Sequence, residues 1–500
     1  MVNPNIDISK IANLKESKFI DEGQSNVRHT KIIGTLGPSS SDLDTLRELF
    51  DAGINIARLN FSHGDHSMHL KNIENIRTLN REKGKTVGIL QDLQGPKIRV
   101  GKLLGDKQTI NKGDSYQLQF GTEQTDPKII PIDYRGLVHD VKVGDRVMMD
   151  DGLLILQVES IAKDKVEVIV KEGGLLKNRK GVNFPDSKLS LPAMTEKDSK
   201  DLLFGIAHRV DFVALSFVQD PSDILQIKGM IKALGSDVPV IAKIEKLPAM
   251  EKIDEIAALA DGLMVARGDL GVEANVERVP GFQRIILEAG ERHSKPVIIA
   301  TQMLESMIEN PKASLAEVAD VANGVLDGAD CLMLSGEVAA GKFPVKCVKR
   351  MSSIIREVES WSLRQPSRLV ESLSEDEKEW EEHESIAVAA CEAAEAMDAK
   401  AIVCLTLTGS IAKSIAKWRP NTTIIAISPR QDVVHRLALV WGVYGIPNPS
   451  FYNTDVLLQE LPELLKDLDM VKSGDTVVIT AGIPINQMRS TNMIKINRIP

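Results

Sequence analysis

The chain has 500 residues, with 61 Lys or Arg against 70 Asp or Glu, which gives a formal net charge of −9. This length exceeds what one hydrophobic core supports, so several domains are expected. The acidic balance and the lack of an extended Lys/Arg block argue against nucleic acid as a partner. No apolar stretch approaches the ~20 residues that cross a bilayer. The first residues, MVNPNIDISK, lack the features of a signal peptide, so we expect no membrane partner and no targeting.

The first part of the chain predicts a closed barrel. Residues 1–28 are expected to form a short N-terminal helical arm, and from residue 29 short β-rich runs alternate with amphipathic helical patterns, which is typical of parallel βα units. The runs are HTKIIGTLG, INIARLNFS, TVGILQDL, DFVALSFV, PVIAKIE, GLMVARGDL, PVIIATQM and ADCLMLS. Eight such units close a barrel, so we predict a (β/α)8 TIM barrel over residues 29–98 and 188–365.

Residues 99–187 interrupt this pattern between the third and fourth runs. The segments GDSYQLQF, GDRVMMDDGLLILQVESI and KVEVIVKEGG have the character of strands separated by Gly-Asp turns. We predict an inserted small β-barrel domain. Because it leaves from the C-terminal end of a barrel strand, it is expected to cover the face where barrels hold their active sites, as a lid.

A further domain follows the helical segment VKCVKRMSSIIREVESW and the charged stretch SEDEKEWEEHES. The strands AIVCLTL, TTIIAIS and DTVVIT alternate with helical patterns there, which predicts a C-terminal α/β open-sheet domain over residues 366–500. The four cysteines lie in apolar patterns without metal-ligand spacing and are Cys331, Cys347, Cys391 and Cys404. They are expected to be buried reduced thiols of a cytoplasmic protein.

Polar side chains gather where the predicted barrel strands end. Residues two apart on a strand point the same way, as Lys243 and Glu245 do in AKIE. The other polar residues are Arg58, Asn60 and Ser62 in ARLNFS, Asp92 at the end of the third strand, Asp269 at the end of the sixth, Thr301 in the seventh, and Ser335 with Glu337 after the eighth. Singly, each fits an ion pair, a helix cap or a turn. Together, they indicate a site for an anionic substrate held by Mg²⁺.

These residues stand in motifs that resemble the pyruvate kinase family in order and spacing across nearly the whole chain. The motifs are ARLNFSHG, QGPKIRVG, DDG, KGVNFP, VIAKIE, DGLMVARGDLGVE, ATQMLESMI and MLSGEVAAGKFP. The resemblance implies phosphoryl transfer from phosphoenolpyruvate to ADP, giving pyruvate and ATP in the last step of glycolysis. It also implies a β lid domain, a C-terminal regulatory domain and a homotetramer.

The resemblance assigns roles to the residues of the site. Glu245 and Asp269 are the expected ligands of Mg²⁺, with Mn²⁺ as an alternative metal. Lys243 is the cation on the moving phosphoryl group, and Arg58 is a phosphate clamp. The backbone amides of Ala266, Arg267, Gly268 and Asp269 are expected to bind the substrate carboxylate at a helix N-terminus. Thr301, with Ser335 through water, is the expected proton relay to the enolate.

One lysine departs from the pattern of many members of the family. Those members hold K⁺ with residues matching Asn60, Ser62, Asp92 and the position of Leu93, and have a glutamate where Lys97 stands here. Leu93, Gln94 and Val100 replace a threonine, a lysine and a threonine, and this combination resembles the members that do not require K⁺. Lys97 is therefore expected to supply the charge of K⁺ covalently. The alternative is a surface lysine after a turn.

Two further regions have expected roles outside the barrel site. In the lid, Asp151 is expected to pair with Arg99 across the hinge, although an ordinary turn aspartate is an equal alternative, and Lys180 is assigned to the same lid. In the C-terminal domain, TLTGSIAKSIAKWRP resembles the family's effector-phosphate loop, which assigns Thr406, Thr408, Gly409 and Ser410 to a sugar-phosphate or nucleotide effector. Ile411 falls where other members carry a hydroxyl residue, and a turn without ligand is the alternative.

Two rival functions stay open from the sequence. A metal-dependent lyase acting on pyruvate or oxaloacetate would also use a barrel with two acids and Mg²⁺, but it would need neither Lys243 nor a lid nor an ADP site. A degenerate paralogue that only binds sugar phosphates would be non-enzymatic, yet the expected catalytic residues are all present.

Overall fold

The structure is a computed structural model that describes residues 28–362, 382–448, 454–483 and 490–500. The predicted helical arm lies outside the described residues apart from Arg28. The predicted domain boundary at 365/366 also lies outside them.

The strands of the described chain are numbered in chain order. They are β1 Lys31–Leu36, β2 Ile56–Asn60, β3 Gly88–Asp92, β4 Lys107–Ile110, β5 Ser115–Phe120, β6 Ile129–Ile132, β7 Arg146–Met149, β8 Leu154–Ile161, β9 Lys165–Glu172, β10 Gly174–Lys177, β11 Val182–Asn183, β12 Phe212–Leu215, β13 Val240–Ile244, β14 Gly262–Ala266, β15 Val297–Ala300, β16 Cys331–Leu334, β17 Ala401–Leu405, β18 Thr423–Ser428, β19 Val443–Pro447, β20 Thr476–Ala481 and β21 Met493–Arg498.

The α-helices are numbered in the same way. They are α1 Leu43–Ala52, α2 His66–Lys83, α3 Leu137–Asp140, α4 Glu196–Ala207, α5 Pro221–Ala233, α6 Leu247–Glu251, α7 Ile253–Leu259, α8 Arg267–Ala274, α9 Val279–Arg292, α10 Leu315–Leu326, α11 Gly336–Ala339, α12 Pro344–Ser362, α13 Glu382–Ala396, α14 Ser410–Lys417, α15 Gln431–Leu437 and α16 Thr454–Asp467. No helix in the described ranges is both long and apolar enough to span a membrane.

Eight strands form a closed parallel barrel in the order β1-β16-β15-β14-β13-β12-β3-β2. All eight predicted runs are strands of this barrel, so the predicted fold is confirmed. Strands such as β1, β3, β14 and β16 are buried along their whole length, as expected where helices cover a parallel sheet. This double burial is why each strand appears in the sequence as a continuous apolar run.

All eight barrel strands are shorter than the predicted runs, and in β14 and β15 the difference moves a site residue off the strand. Strand β14 ends at Ala266, so Asp269 lies in the first turn of α8 instead of on a strand. Strand β15 ends at Ala300, and Thr301 begins the turn after it with a φ of 69°. An acidic residue in the first turn of a helix is favoured by the helix dipole, which the strand prediction for GLMVARGDL did not take into account.

The inserted domain is built on a six-stranded sheet in the order β11-β7-β8-β9-β5-β6. Along β8 the buried residues Leu154, Leu156 and Val158 alternate with more exposed ones, which is the period of a strand with one face in a core. The prediction identified the long strands β5, β8 and β9. It did not identify β4, β6, β10 and β11, which have two to four residues each.

The C-terminal domain is a five-stranded sheet in the order β19-β18-β17-β20-β21, with β21 antiparallel to β20. The three predicted strands are β17, β18 and β20, and the sequence analysis missed β19 and β21. Separate apolar clusters lie against the sheet, one including Ile402 and Ile424 and the other Val403 and Ile425. All four cysteines are buried and free, as expected.

By internal packing the chain divides into two compact units. One unit comprises Met1–Gln91, Ala207–Val213 and Gly290–Pro500, and the other comprises Asp92–Ile206 and Ala214–Ala289. The second unit therefore holds the inserted domain together with β13, β14 and α8. The domain boundaries predicted at 28, 98, 187 and 365 stay predictions.

Within the first unit, a lysine is buried where β1 faces the C-terminal domain. Lys31 is 1% exposed, and its Nζ donates to the Val443 carbonyl oxygen at 2.8 Å and lies 4.1 Å from the centre of the Tyr444 ring. Burial, helped by the charge of Arg28, lowers the pKa of the Lys31 ammonium from 10.5 to about 7. One carbonyl and one ring therefore compensate only part of the lost hydration.

We expect Lys31→Met to stabilise the protein below pH 7 and to do so less as the pH rises. The folded-state pKa of about 7 lies below the unfolded value of 10.5, so between these values the unfolded chain binds the extra proton. The penalty of burying Lys31 is thus fully present below pH 7 and disappears as the pH approaches 10.5. Thermal unfolding midpoints of both proteins across this range measure the effect. Lys342→Met, at an exposed pair with Glu309, is the control, and a difference that does not change with pH would contradict the prediction.

Candidate active site

In the second unit, a buried ammonium is held between two buried carboxylates. Lys243, on β13, has its Nζ 3.1 Å from Asp92 Oδ1 and 3.0 Å from Glu245 Oε1. The side chain of Lys243 is 11% exposed, and each carboxylate is 1% exposed. The alternation rule predicted that Lys243 and Glu245 share a direction, and the structure brings them into contact.

The serine that orients this ammonium was missed by the sequence analysis. Ser216 lies directly after β12, and its Oγ accepts a hydrogen bond from Lys243 Nζ at 2.6 Å. The same hydroxyl donates to the Leu93 carbonyl oxygen at 2.7 Å. The hydroxyl proton is thereby directed away from the lysine, which leaves an oxygen lone pair for the ammonium. A polar residue after the apolar run DFVAL was the available signal.

The pKa of the Glu245 carboxyl is raised above its ordinary value. Burial raises its pKa, the Lys243 ammonium opposes this shift, and the negative charge of Asp269 raises the pKa further. Its Oε2 accepts a hydrogen bond from the Phe217 backbone N–H at 2.7 Å, which fixes the carboxylate plane. Glu245 is therefore held in a fixed position close enough to Asp269 to be repelled by it, an arrangement that a divalent cation would stabilise.

The donor set fits Mg²⁺, which prefers oxygen ligands. Mg²⁺ is usually bound through one or two carboxylates, with its other positions filled by water and substrate phosphates. Glu245 and Asp269 supply two such carboxylates. Across the described ranges, no group of three or more His, Cys, Asp or Glu side chains forms a metal site by itself. A metal at this pair would accordingly take its remaining ligands from substrate and water.

Lys97 lies beside the second of these carboxylates. Its Nζ is 3.6 Å from Asp269 Oδ1, and the two side chains are 30% and 33% exposed. The turn that aims it depends on Gly95, which has a φ of 70° and packs so closely that a Cβ would lie 2.9 Å from Ser216 Cβ. The Gly-Pro turn after β3 thus directs Lys97 towards Asp269. A lysine on an ordinary surface turn would point to solvent instead.

Helix α8 presents its N-terminus at the end of β14. Its N-cap residue, Ala266, makes no side-chain capping hydrogen bond, and Asp269 lies in the first turn. Backbone N–H groups and the positive end of the dipole at such a terminus favour an anion. The segment 266–269 therefore offers backbone N–H groups at a helix N-terminus, which is what the binding of a carboxylate requires.

In the first unit, the predicted phosphate clamp is buried at the end of β2. Arg58 is 9% exposed, and its Nη1 donates to Thr35 Oγ1 at 3.0 Å. Thr35 is the register partner of Arg58 on β1 and was missed by the sequence analysis. Beyond the strand end, Asn60 Oδ1 accepts from the Ser62 backbone N–H at 3.1 Å and closes the turn.

Thr301 and Ser335 follow the neighbouring strands β15 and β16 in the same unit. Thr301 has a φ of 69°, which is rare for a β-branched residue and is typically found at functional sites. The buried Oγ of Ser335 has no hydrogen-bond partner among the described residues. Glu337, 2% exposed, accepts from the Leu304 N–H at 3.1 Å and from the Ser335 N–H at 2.7 Å. The Glu337 carboxylate thus holds the turn after β15 and the turn after β16.

The lid contacts differ from the predicted ones. Arg99 donates to the Arg179 carbonyl oxygen at 3.0 Å, so the expected pair with Asp151 is not formed. The neighbouring aspartate, Asp150, pairs with Lys180 at 2.6 Å. Asp150 and Asp151 both have positive φ, at 53° and 55°, so this tight turn presents the first carboxylate to the lid lysine.

The loop between β17 and α14 has the predicted strand–turn–helix form. Thr406 Oγ1 accepts from the Gly409 N–H at 2.8 Å, and Gly409 has a φ of 82°. Thr408 Oγ1 and Ser410 Oγ are 3.1 Å apart on the exposed side. Ile411 is fully buried in the domain core, so this departure from the family pattern removes no group from the exposed side of the loop.

Fold and site together define a barrel enzyme of the phosphotransferase class, a class that relies on fixed charges around a phosphoryl group. Two family models match the chain: the pyruvate kinase barrel domain at residues 27–348 and the pyruvate kinase alpha/beta domain at residues 384–497. The chain belongs to the pyruvate kinase family.

Individual relatives agree with this assignment. The chain is 43% identical over 477 residues to the pyruvate kinase of Geobacillus stearothermophilus, covering 94% of this chain and 80% of the relative. It is 44% identical over 475 residues to pyruvate kinase 2 of a Synechocystis strain, covering 94% and 79%. A crystal structure of a pyruvate kinase from Cryptosporidium parvum superposes with a TM-score of 0.89 at 36% identity, covering 95% of this chain and 96% of that one.

We expect Ser216→Ala to lower kcat by roughly tenfold, because a hydrogen bond to a charged group contributes ~1.5–3 kcal/mol and orients Lys243. Steady-state kinetics measure the effect. The matched control is Ser199→Ala. It removes a hydroxyl of α4 that donates to the Thr195 carbonyl oxygen. Equal kcat values for both variants would show that Ser216 does not orient the ammonium.

Proposed function

We propose that this chain transfers the phosphoryl group of phosphoenolpyruvate to ADP, with Mg²⁺ as its divalent metal and without a requirement for K⁺. The observation that carries the proposal is the Lys243 ammonium held within 3.1 Å of two buried carboxylates. Phosphoryl transfer needs charge placed in advance more than it needs covalent chemistry from the protein. This cluster supplies such charge, with Mn²⁺ as an alternative to Mg²⁺.

Glu245 and Asp269 are the proposed metal ligands. When bound there, Mg²⁺ would neutralise charge on the substrate oxygens. The raised pKa of Glu245 supports the proposal, because part of the shift comes from Asp269 and a cation would remove that repulsion. The protein's own contribution is to fix Glu245 through the Phe217 N–H and Asp269 through the helix that carries it.

Lys243 and Arg58 are the proposed cations on the phosphoryl group. Both are largely buried and oriented by a hydroxyl, Ser216 for the lysine and Thr35 for the arginine. Groups oriented in advance stabilise a charge as it develops without reorganising during the reaction. The backbone N–H groups of residues 266–269 are proposed to bind the substrate carboxylate.

The enolate left by phosphoryl transfer must be protonated at carbon. We assign the relay to Thr301, with Ser335 acting through water. Two observations support this assignment: the left-handed backbone of Thr301, and the buried Oγ of Ser335, which has no hydrogen-bond partner in the part of the chain that the structure describes. Glu337 fixes both turns through their backbone N–H groups.

Lys97 is the proposed replacement for K⁺. Its ammonium lies beside Asp269. Asn60, Ser62, Asp92 and Leu93 match the positions that hold K⁺ in other members. A tethered ammonium provides a positive charge that needs no ion from solution.

The remaining proposals concern control and assembly. The lid, including Asp151 and Lys180, is proposed to exclude water during transfer, with Arg99 at its hinge. Thr406, Thr408, Gly409 and Ser410 are proposed to bind the phosphate of a sugar-phosphate or nucleotide effector. A cytoplasmic homotetramer that binds pyruvate and ATP as products completes the proposal.

We expect ATP formation from phosphoenolpyruvate and ADP that requires Mg²⁺ and falls by ~10²–10³-fold in Lys243→Met, the loss typical of one group that stabilises transition-state charge. A coupled assay with purified protein measures it. Lys228→Met, which breaks the more exposed pair with Asp261, is the control. Retained activity in Lys243→Met would remove the central residue of the proposal.

We expect the same rate with and without K⁺ when tetramethylammonium replaces it, because Lys97 supplies the charge. Lys97→Glu should lose most activity without K⁺ and recover part of it when K⁺ is added. Lys97→Gln, which has no carboxylate to bind the ion, should not recover. An unaltered protein that is inert until K⁺ is added would show that Lys97 does not replace the ion.

A further inference from the structure

Helix α8, which carries Asp269 in its first turn, has a second acidic residue one turn later. Glu273 lies four positions after Asp269, so the two side chains are on the same side of the helix. Glu273 is only 2% exposed. A carboxylate this deeply buried requires donors, and their identity shows what the helix is attached to.

Two donors from different elements meet on the same oxygen of Glu273. Lys246 Nζ lies 2.5 Å from Oε1, and Asn183 Nδ2 lies 2.7 Å from it. Lys246 directly follows Glu245 in the chain and is 12% exposed. The carboxylate therefore links α8 to the segment that carries the other proposed metal ligand.

The second donor belongs to the inserted domain. Asn183 lies on β11, which pairs with β7 in the register Asn183↔Met148 and is the last strand before the chain returns to the barrel. Arg146, the first residue of β7, reaches Asn275 Oδ1 just beyond α8 at 3.4 Å. Two points of the lid sheet thus touch the C-terminal end of the helix whose first turn holds Asp269.

We propose that Glu273 is a positioning residue, which joins the lid to the helix and to the segment that carry Asp269 and Glu245. A short helix moves as a rigid body, so a shift of the lid at Asn183 would displace Asp269 at the other end. The proposal rests on the proposed function in one respect, since it takes Asp269 and Glu245 as the metal ligands. The coupling between lid and helix is a property of the chain itself.

A purely structural role makes a different prediction. Removing one partner of a buried ion pair destabilises the folded protein, because it leaves an uncompensated buried charge. A structural Lys246–Glu273 pair would therefore affect unfolding but not metal affinity. A positioning residue affects metal affinity, by roughly 10–100-fold for groups that orient metal ligands.

The experiment compares Asn183→Ala, Glu273→Gln, Lys246→Met and Lys246→Arg in the full-length chain. Mn²⁺ binding is measured by electron paramagnetic resonance titration without substrates. Hydrogen exchange of residues 182–184 and 267–274 is measured in the metal-free protein, and kcat and KM for the metal are measured separately. The control is Lys252→Met, which breaks the exposed pair with Asp220.

We expect Asn183→Ala and Glu273→Gln to weaken Mn²⁺ binding by about tenfold and to speed exchange in both segments. Lys246→Met should do the same, Lys246→Arg should restore most of the affinity, and the control should change nothing. Because Asn183→Ala removes a single hydrogen bond, it keeps the test valid if Glu273→Gln fails to fold.

Variants that unfold at lower temperature with unchanged Mn²⁺ affinity and unchanged exchange in 267–274 would overturn the inference. The proposed function fails separately, if the unaltered protein binds Mn²⁺ but makes no ATP from phosphoenolpyruvate and ADP. In that case the exchange data still decide whether Glu273 couples the lid to the helix.

Discussion

The site depends on one costly interaction, the burial of the Lys243 ammonium between Asp92 and Glu245. Removing an ammonium and two carboxylates from water costs several kcal/mol per ion unless each finds close partners. The partners are present, with both carboxylates within 3.1 Å and the Ser216 hydroxyl at 2.6 Å. The group carries net negative charge before Asp269 and Lys97 are counted. It is therefore arranged to receive further positive charge, which is what a divalent metal supplies.

The same constraint explains why the inserted domain has polar contacts to the barrel segment of its own unit. Carboxylates that repel each other stay in place only if the backbone that carries them is held. For Glu245 the Phe217 N–H does this directly, while for Asp269 the hold is indirect, through α8. Glu273 lies on that helix with Lys246 and Asn183 on a single oxygen. Removing either donor would leave the buried Glu273 carboxylate with too few partners. The loss of one contact is therefore expected to weaken the whole network.

The sequence predicted the features that depend on neighbouring residues and missed those that depend on residues distant in the chain. The eight barrel strands were predictable because double burial makes each an apolar run, and the contact of Lys243 with Glu245 followed from strand alternation. Strands as short as β11, with two residues, have no periodicity to detect. Ser216, Thr35 and Asp150 were missed because their partners are distant in sequence. The pairing of Asp150 with Lys180 depends on two consecutive residues of positive φ, which the letters DD do not reveal.

The position of Lys97 shows how a local turn determines long-range electrostatics. Position 95 requires glycine because its backbone packs closely against Ser216, the residue that also orients Lys243. One short stretch of backbone therefore supports both lysines, and a side chain at Gly95 would displace them together. A bound cation would respond to ionic strength and ion size, whereas a tethered ammonium responds only to the geometry of its turn. In this chain, the charge beside Asp269 is thus determined by the packing of a glycine.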